Sequence, residues 1–178
     1  MKSKFIFQAL VICSAGLSAI AAPTSTYRTD TRGSNLSKTG DLGLGLKVGN
    51  LTGLNVKYWT NETQAWDATI AFDHDDVALS IDHLWHFKQV LADKVNLRNA
   101  DSFVPYLGVG LLSAFGSKSQ FFNHDTESFD LALHLPFGFE FLPPTASLGL
   151  FAEMGFGFGI APTTYSFFTA DFGARFYF

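Results

Sequence analysis

The stretch Phe-Thr-Ala-Asp-Phe-Gly-Ala-Arg-Phe-Tyr-Phe spans residues 168–178. One face of this stretch, taken as extended chain, carries the four phenylalanines Phe168, Phe172, Phe176 and Phe178. The other face carries Thr169, Asp171, Gly173, Arg175 and Tyr177. Because side chains alternate along a strand, this period of two predicts a strand with one apolar and one polar face. An apolar outer face, a charged inner face and a terminal aromatic residue are typical of an outer-membrane β-barrel strand.

The composition agrees with a lipid-facing sheet. The chain has 178 residues, of which 47% are hydrophobic and only 16% are charged, whereas soluble domains carry about a quarter charged residues. It is also rich in phenylalanine (20) and glycine (16), residues that suit an apolar surface and a tightly curved sheet. The formal net charge of −4 leaves no basic surface for nucleic acid, so we expect no nucleic-acid partner.

The N-terminus has the features of an export segment. Lys2 and Lys4 precede an apolar run over residues 5–20, and Ala19-Ile20-Ala21 fits a small-residue cleavage site. We therefore expect a cleaved signal peptide over residues 1–22; an uncleaved membrane anchor is the alternative. The single cysteine, Cys13, lies in this segment, so the mature chain would gain its stability from barrel closure and not from disulfides.

Beyond the export segment, residues 23–39 are polar and predict a flexible lead-in, and residues 40–178 predict one barrel domain. Eight alternating segments fall in the latter, at 40–49, 53–60, 65–73, 76–87, 103–115, 128–141, 147–159 and 165–178. Tilted strands need roughly 9–11 residues to cross a bilayer. The predicted fold class is all-β: an eight-stranded antiparallel transmembrane up-and-down barrel with a polar interior filled by side chains.

The faces of these segments separate by chemistry. Leucine, valine and phenylalanine dominate one face, and aromatic residues near the strand ends, among them Trp66 and Trp85, match interfacial girdles. Charged residues share the opposite face with glycines, the reverse of a soluble lipocalin. The predicted interior polar cluster consists of Asp41, Lys47, Lys57, Asp67, Asp82, His134, Glu140, Glu153, Asp171 and Arg175.

Parity along the strands also predicts hairpins and pairings. Turns at residues 50–52 and 74–75 keep the polar faces together, and the second turn sets Asp67 opposite Asp82. Adjacent carboxylates need a proton or a cation between them. Lys57, expected to lie diagonal to Asp67, is the predicted cation.

A second set of charges is predicted where the first and last strands meet. At this closing seam we expect Asp41 and Lys47 to face Arg175 and Asp171. Such a buried polar network stabilises a barrel only when each member finds a partner.

Two motifs contain residue types that bind metals. Residues 73–76, Asp-His-Asp-Asp, concentrate oxygen ligands at a turn, although such residues are also ordinary turn formers. His83 and His86 are three apart and would point to opposite faces of a strand. We therefore expect His83 in the interfacial girdle and His86 as a hydrogen-bonding group in the lumen, with no metal or other cofactor.

Catalysis is a further alternative. Ser80, His134, Glu140 and Glu153 all point inward, but a hydrolase would need hydrogen bonds among them across the lumen, and no nucleophile elbow is present. We therefore do not expect an enzyme, and a Ser–His contact would favour a lipid-modifying activity.

On these features the chain resembles the small eight-stranded outer-membrane barrels of Gram-negative bacteria. The resemblance rests on the export segment, the amphipathic strands of residues 40–178 and the terminal Arg-Phe-Tyr-Phe. Residues 52–59 and 84–87 are also similar to a little-characterised family of such barrels. Phe176, Tyr177 and Phe178 resemble the signal that the barrel-assembly machinery reads.

The resemblance implies an outer-membrane location. The partners it implies are outer-membrane lipid, lipopolysaccharide, the assembly machinery and periplasmic chaperones. It implies no molecular activity. One departure from the usual pattern is a long connection over residues 88–102 on the periplasmic side, where turns are normally short. Of the outer loops, only 116–127 would be long.

These expectations lead to a non-catalytic membrane barrel with an envelope-structural or surface-interaction role. The alternative is a narrow channel that prefers cations, because acidic residues outnumber basic ones in the predicted lumen. The sequence does not define a ligand, a partner or an oligomeric state.

Overall fold

The computed structural model describes residues 40–73, 76–88, 102–116, 128–143 and 147–178. The expected signal peptide, the lead-in, and most of the 88–102 and 116–127 connections lie outside the described residues. Eight strands are present in the described part: β1 (Leu42–Gly49), β2 (Gly53–Trp59), β3 (Gln64–Asp73), β4 (Asp76–His86), β5 (Phe103–Gly116), β6 (Ser128–Phe141), β7 (Leu148–Ala161) and β8 (Ser166–Tyr177).

The strands form a closed antiparallel barrel in sequence order. Each strand pairs with the next, and β1 pairs with β8 to complete the ring. The predicted fold class is therefore confirmed, and the strand limits differ from the expected ones by no more than two residues. No helix in the described ranges is long and apolar enough to cross a membrane.

Alternation along each strand separates an exposed apolar face from a buried one. In β8, Phe172 is 62% exposed, whereas Arg175 is fully buried. In β4, each second residue from Asp76 to His86 is buried. Charged side chains thus occupy the inside of the barrel, as the sequence predicted, because a strand turns successive side chains to opposite faces of the sheet.

Apolar side chains close the interior at both ends. At the terminal end, where Gly40 and Phe178 lie, the buried cluster is Trp59, Ala65, Val104, Leu142 and Tyr177. At the loop end, beside residues 50–52, it is Leu51, Ala71, Ala78, Leu112 and Ala114, with Tyr165 and Phe167 packed against it. The polar residues of the interior lie between these two clusters.

Glycines on the inner face of β1 allow the ring to close tightly on β8. A methyl group at Gly45 would lie about 2.9 Å from the Cα atom of Arg175, and one at Gly43 would lie 2.7 Å from the Tyr177 ring. These contacts are shorter than van der Waals separations, so a side chain at either position would push the two strands or their inner side chains apart. The glycines therefore provide the room that the large side chains of β8 occupy.

The pairing of β1 with β8 can be tested by cross-linking. Leu44 is directly opposite Phe176 and both point outward, so the Cα separation of about 4.5–5.5 Å suits a disulfide. We predict that Leu44→Cys with Phe176→Cys, in a Cys13→Ser background, cross-links on oxidation of the refolded protein, as seen by gel mobility with and without reductant. Leu44→Cys with Phe172→Cys, roughly 13 Å out of register, is the control. Equal cross-linking of both pairs would contradict this closure.

Candidate functional site: the polar network inside the barrel

The structure places most of the predicted interior cluster inside the barrel. Nine of its ten members are at most 5% exposed: Lys47, Lys57, Asp67, Asp82, His134, Glu140, Glu153, Asp171 and Arg175. Asp41 precedes β1 and is half-buried. A buried charge lowers the stability of a fold unless it is paired and hydrogen-bonded, so each of these side chains needs a partner inside the barrel.

Arg175 lies at the centre of the network. Its Nη1 donates to Glu140 Oε1 at 2.9 Å, its Nη2 donates to Asp67 Oδ2 at 2.6 Å, and its Nε donates to Asn55 Oδ1 at 2.5 Å. The guanidinium carbon also lies 3.7 Å from the centroid of the Phe151 ring. One side chain of β8 thereby contacts β2, β3, β6 and β7, because a planar guanidinium carries five donors in a fixed geometry.

Glu140 of β6 is the main acceptor on the opposite wall. In addition to Arg175, it forms an ion pair with Lys57 and accepts a hydrogen bond from the Tyr177 hydroxyl at 2.6 Å. The Lys57 ammonium also lies 2.8 Å from His86 Nε2 and 4.4 Å from the centroid of the Trp59 ring. A carboxylate with three charged or polar donors is well satisfied despite complete burial.

A second ion pair lies beside this centre. Lys47 Nζ donates to Glu153 Oε1 at 2.9 Å, and the Tyr106 hydroxyl donates to Glu153 Oε2 at 2.8 Å. Lys47 also lies 5.8 Å from the centroid of the Phe151 ring, on which Arg175 is stacked. Phe151 therefore lies close to both cations.

A third group joins Asp82, His134 and Thr169. His134 Nδ1 donates to Asp82 Oδ1 at 2.8 Å, and His134 Nε2 lies 3.4 Å from Thr169 Oγ1. The order of carboxylate, imidazole and hydroxyl is that of a hydrolase triad. All three residues are at most 1% exposed, so no substrate reaches the hydroxyl in this structure. Ser80, the serine weighed above as part of a hydrolase site, has no hydrogen-bond partner for its hydroxyl among the described residues.

The predicted role of Lys57 is wrong. Asp67 is opposite Asp82, as expected, but Lys57 is directly opposite Asp67 and not diagonal to it. The lysine side chain extends across the lumen to Glu140 instead of bridging the two carboxylates. Each of the two carboxylates takes its own partner, a guanidinium for Asp67 and an imidazole for Asp82.

The closing seam also differs from the prediction. Lys47 is opposite Gly173, and Arg175 and Asp171 are opposite Gly45 and Gly49, so each charge faces a glycine and not an opposite charge. The β1 lysine turns instead to Glu153. Asp171 Oδ1 accepts a hydrogen bond from the backbone N–H of Leu51 at 2.7 Å and so holds the first hairpin.

Five network members were absent from the predicted cluster: Asn55, His86, Tyr106, Thr169 and Tyr177. Their inward parity was visible in the sequence, but nothing in their spacing identified the residues that they contact across the lumen. For Tyr177 the sequence predicted a place on the polar face of the last strand and in the C-terminal assembly signal, but not its hydrogen bond to Glu140.

At the terminal end, Lys88 covers the interior just beyond β4. Its ammonium lies 5.4 Å from the centroid of the Trp59 ring, and burial lowers its pKa. Of the candidate metal turn at 73–76, only Asp76 has a described side chain, and it is buried. Within the described ranges, no three His, Cys, Asp or Glu side chains come close enough together to hold a metal ion.

Fold and interior together define a class: a closed eight-stranded antiparallel barrel with an apolar exterior and a sealed, charge-paired interior. No known protein family and no curated protein sequence matches the chain. A solved structure does match in fold, the crystal structure of the N-terminal β-barrel domain of Pseudomonas aeruginosa OprF. The TM-score is 0.52 at 15% sequence identity, over 78% of this chain and 96% of that domain. At this identity the similarity concerns the fold.

The network is expected to depend most strongly on Glu140. Glu140→Gln removes a carboxylate that Lys57 and Arg175 share, leaving two buried cations short of one negative charge. We predict a loss of about 3–5 kcal/mol in the free energy of unfolding, measured by urea titration of the protein refolded in vesicles.

Glu62→Gln is the matched control for this substitution, since Glu62 is exposed and exposed ion pairs contribute little. A double variant, Glu140→Gln with Lys57→Met, is expected to recover part of the lost free energy of unfolding, because it removes one of the two cations left without a carboxylate partner. If Glu140→Gln and Glu62→Gln unfold at the same urea concentration, the polar network does not stabilise the fold.

Proposed function

We propose that the protein is an integral outer-membrane barrel with a non-catalytic role, either in envelope structure or in surface interaction. The observation that supports this most directly is the outer face of the barrel. Among the residues that the structure describes, thirty large hydrophobic side chains are exposed, and they are spread over all eight strands. Soluble monomers rarely expose contiguous apolar patches larger than a few hundred Å², so this surface requires lipid or another apolar partner.

Barrel closure supports the same proposal. In hydrocarbon every backbone N–H and C=O group needs an internal partner, and a closed antiparallel ring provides one along every strand. No Asp, Glu, Lys or Arg occupies an outward position in the described parts of the strands. The exterior thus meets the requirements of a bilayer, while all strand charges whose side chains are described point inward.

The expected partners follow from the termini. An export segment would bring the chain to the periplasmic chaperones and the barrel-assembly machinery. Phe176 and Phe178 point outward, with their rings 5.1 Å apart, where an assembly factor or lipid can contact them. Tyr177 points inward to Glu140, so its contribution is to the folded interior. Lipid and lipopolysaccharide are the proposed surroundings of the mature barrel.

The interior favours a closed barrel over the alternative cation channel. Arg175 and Lys57 are fully buried, and Lys47 is 1% exposed, so no water-sized passage runs beside them. The two apolar clusters close the lumen on either side of the ion pairs. The same burial argues against catalysis by the group of Asp82, His134 and Thr169. A surface-interaction role would depend on the loops, of which 117–127 lies outside the described residues.

Membrane insertion predicts a dependence on depth along β5. Leu111 and Phe103 are exposed to similar extents, 50% and 48%, but Leu111 lies near the middle of the strand and Phe103 at its end. We predict that Leu111→Arg destabilises the inserted barrel by about 2–4 kcal/mol and Phe103→Arg by about 1 kcal/mol or less. Urea unfolding in vesicles, with flotation to confirm insertion, measures both. Equal effects would contradict insertion in this orientation.

The sealed interior predicts electrical silence. The refolded mature protein, once shown to be folded by circular dichroism, is expected to give no discrete conductance steps in a planar lipid bilayer. Discrete cation-selective steps would instead support the channel, and their loss in Glu153→Gln would assign the current to the lumen.

A further inference from the structure

One imidazole interrupts the apolar exterior of the barrel. His83 is the single histidine among the outward positions of the described strands. Its neighbours along β4 on the same face are Ile81 and Trp85, and its partner on β5 is Val109. A polar ring on a lipid-facing surface is costly unless it lies at the membrane interface and finds a partner there.

Aromatic rings enclose this histidine. The Trp66 and Trp85 rings lie 4.8 Å and 4.7 Å from the His83 ring, both in edge arrangements. Trp66 is directly opposite His83 on β3, and Tyr58 is directly opposite Trp66 on β2. Tyr58, Trp66, His83 and Trp85 therefore form one continuous patch over three adjacent strands, referred to below as the imidazole patch.

Each ring of the imidazole patch carries a hydrogen-bonding group, and none of these groups has a partner in the described residues. His83 Nδ1 is covered and unpaired, which leaves Nε2 as the ring nitrogen that a ligand can reach. Indole N–H groups only donate, and a phenol and an imidazole donate one hydrogen each. Ser113, another polar residue on the outer face, differs because it donates to the Leu79 carbonyl oxygen. The patch thus offers several donors to a ligand rich in acceptors.

The imidazole patch lies at the terminal end of the barrel. His83 is three residues from the end of β4, Tyr58 is the penultimate residue of β2, and Trp66 is the third residue of β3. The outward rings at the loop end, such as Phe72, Phe115 and Phe129, have no polar groups. Phenol, indole and imidazole rings favour the level where headgroups meet hydrocarbon.

We propose that the imidazole patch binds the phosphodiester group of a membrane phospholipid, with His83 as the central donor. This inference rests on the proposed membrane location. A phosphodiester has two anionic acceptor oxygens, and in an inserted barrel it lies at the depth of the patch, whereas the acyl chains cover the neighbouring apolar face. Hydrogen bonds to charged acceptors are the strong ones, which makes phosphate a better partner for these donors than an ester carbonyl.

The test uses the refolded protein in vesicles of phosphatidylethanolamine and phosphatidylglycerol, followed by native mass spectrometry of retained lipid. His83→Phe keeps the ring and its packing but removes both nitrogens, so we predict about tenfold weaker lipid retention. His83→Gln keeps a donor and is expected to retain lipid better than His83→Phe. Ser113→Ala, on the same outer face, is the matched control and is expected to leave retention unchanged.

The two levels of the proposal fail in different ways. If the wild-type protein does not float with the vesicles, the proposed membrane location is wrong. If every variant inserts and retains equal lipid, only the phospholipid site is wrong.

NMR of the wild-type protein tests the same site without relying on variants that could fail to fold. The imidazole resonances of His83 are expected to shift between dodecylmaltoside and dodecylphosphocholine micelles, while those of buried His86 stay constant. Inorganic phosphate added to the maltoside sample is expected to have no effect. A shift with inorganic phosphate equal to that with phosphocholine would overturn a lipid site in favour of a free phosphate site, and no shift in phosphocholine would overturn binding altogether.

Discussion

The contact of Arg175 with Glu140 and Asp67 is the interaction on which the rest of the interior depends. A guanidinium buried this deeply is tolerated only when its donors meet acceptors, and removal of either carboxylate would leave a charge uncompensated in the lumen. Neighbouring contacts build on this pairing: Glu140 is shared with Lys57, and the Phe151 ring lies close to both the arginine and Lys47. Since the contacts join strands far apart in the ring, they favour one arrangement of the closed sheet.

The barrel therefore reverses the usual division of chemistry in a folded protein. Its apolar side chains face outward, where lipid would cover them, and its ion pairs form the core between two small apolar clusters. Glycines opposite the large inner side chains make this possible, as at Gly45 and Gly43 beside β8. A core of this kind leaves no room for water beside the buried Arg175 and Lys57.

Much of the fold could be predicted because its determinants are local. Side chains alternate between the two faces of every strand, so the inward positions of Asp171 and Arg175 could be predicted by counting residues. The opposition of Asp67 and Asp82 followed from a hairpin with only two residues between its strands, which leaves little freedom of register. The orientation of His83 away from His86 followed from the same parity, although the rings around His83 became visible only from the pairing of three strands.

The sequence by itself determined which residues face outward and which face the lumen, because alternation is a property of neighbouring residues. Only the tertiary structure decided which buried charges pair. Lys57 pairs with Glu140 and not with Asp67, which lies directly opposite it in the sheet. Lys47 pairs with Glu153 and not with Asp171. Long side chains cross a narrow lumen, and the stagger of the strands determines which groups they contact there. Such contacts join residues up to 120 positions apart, and no local pattern in the chain encodes them.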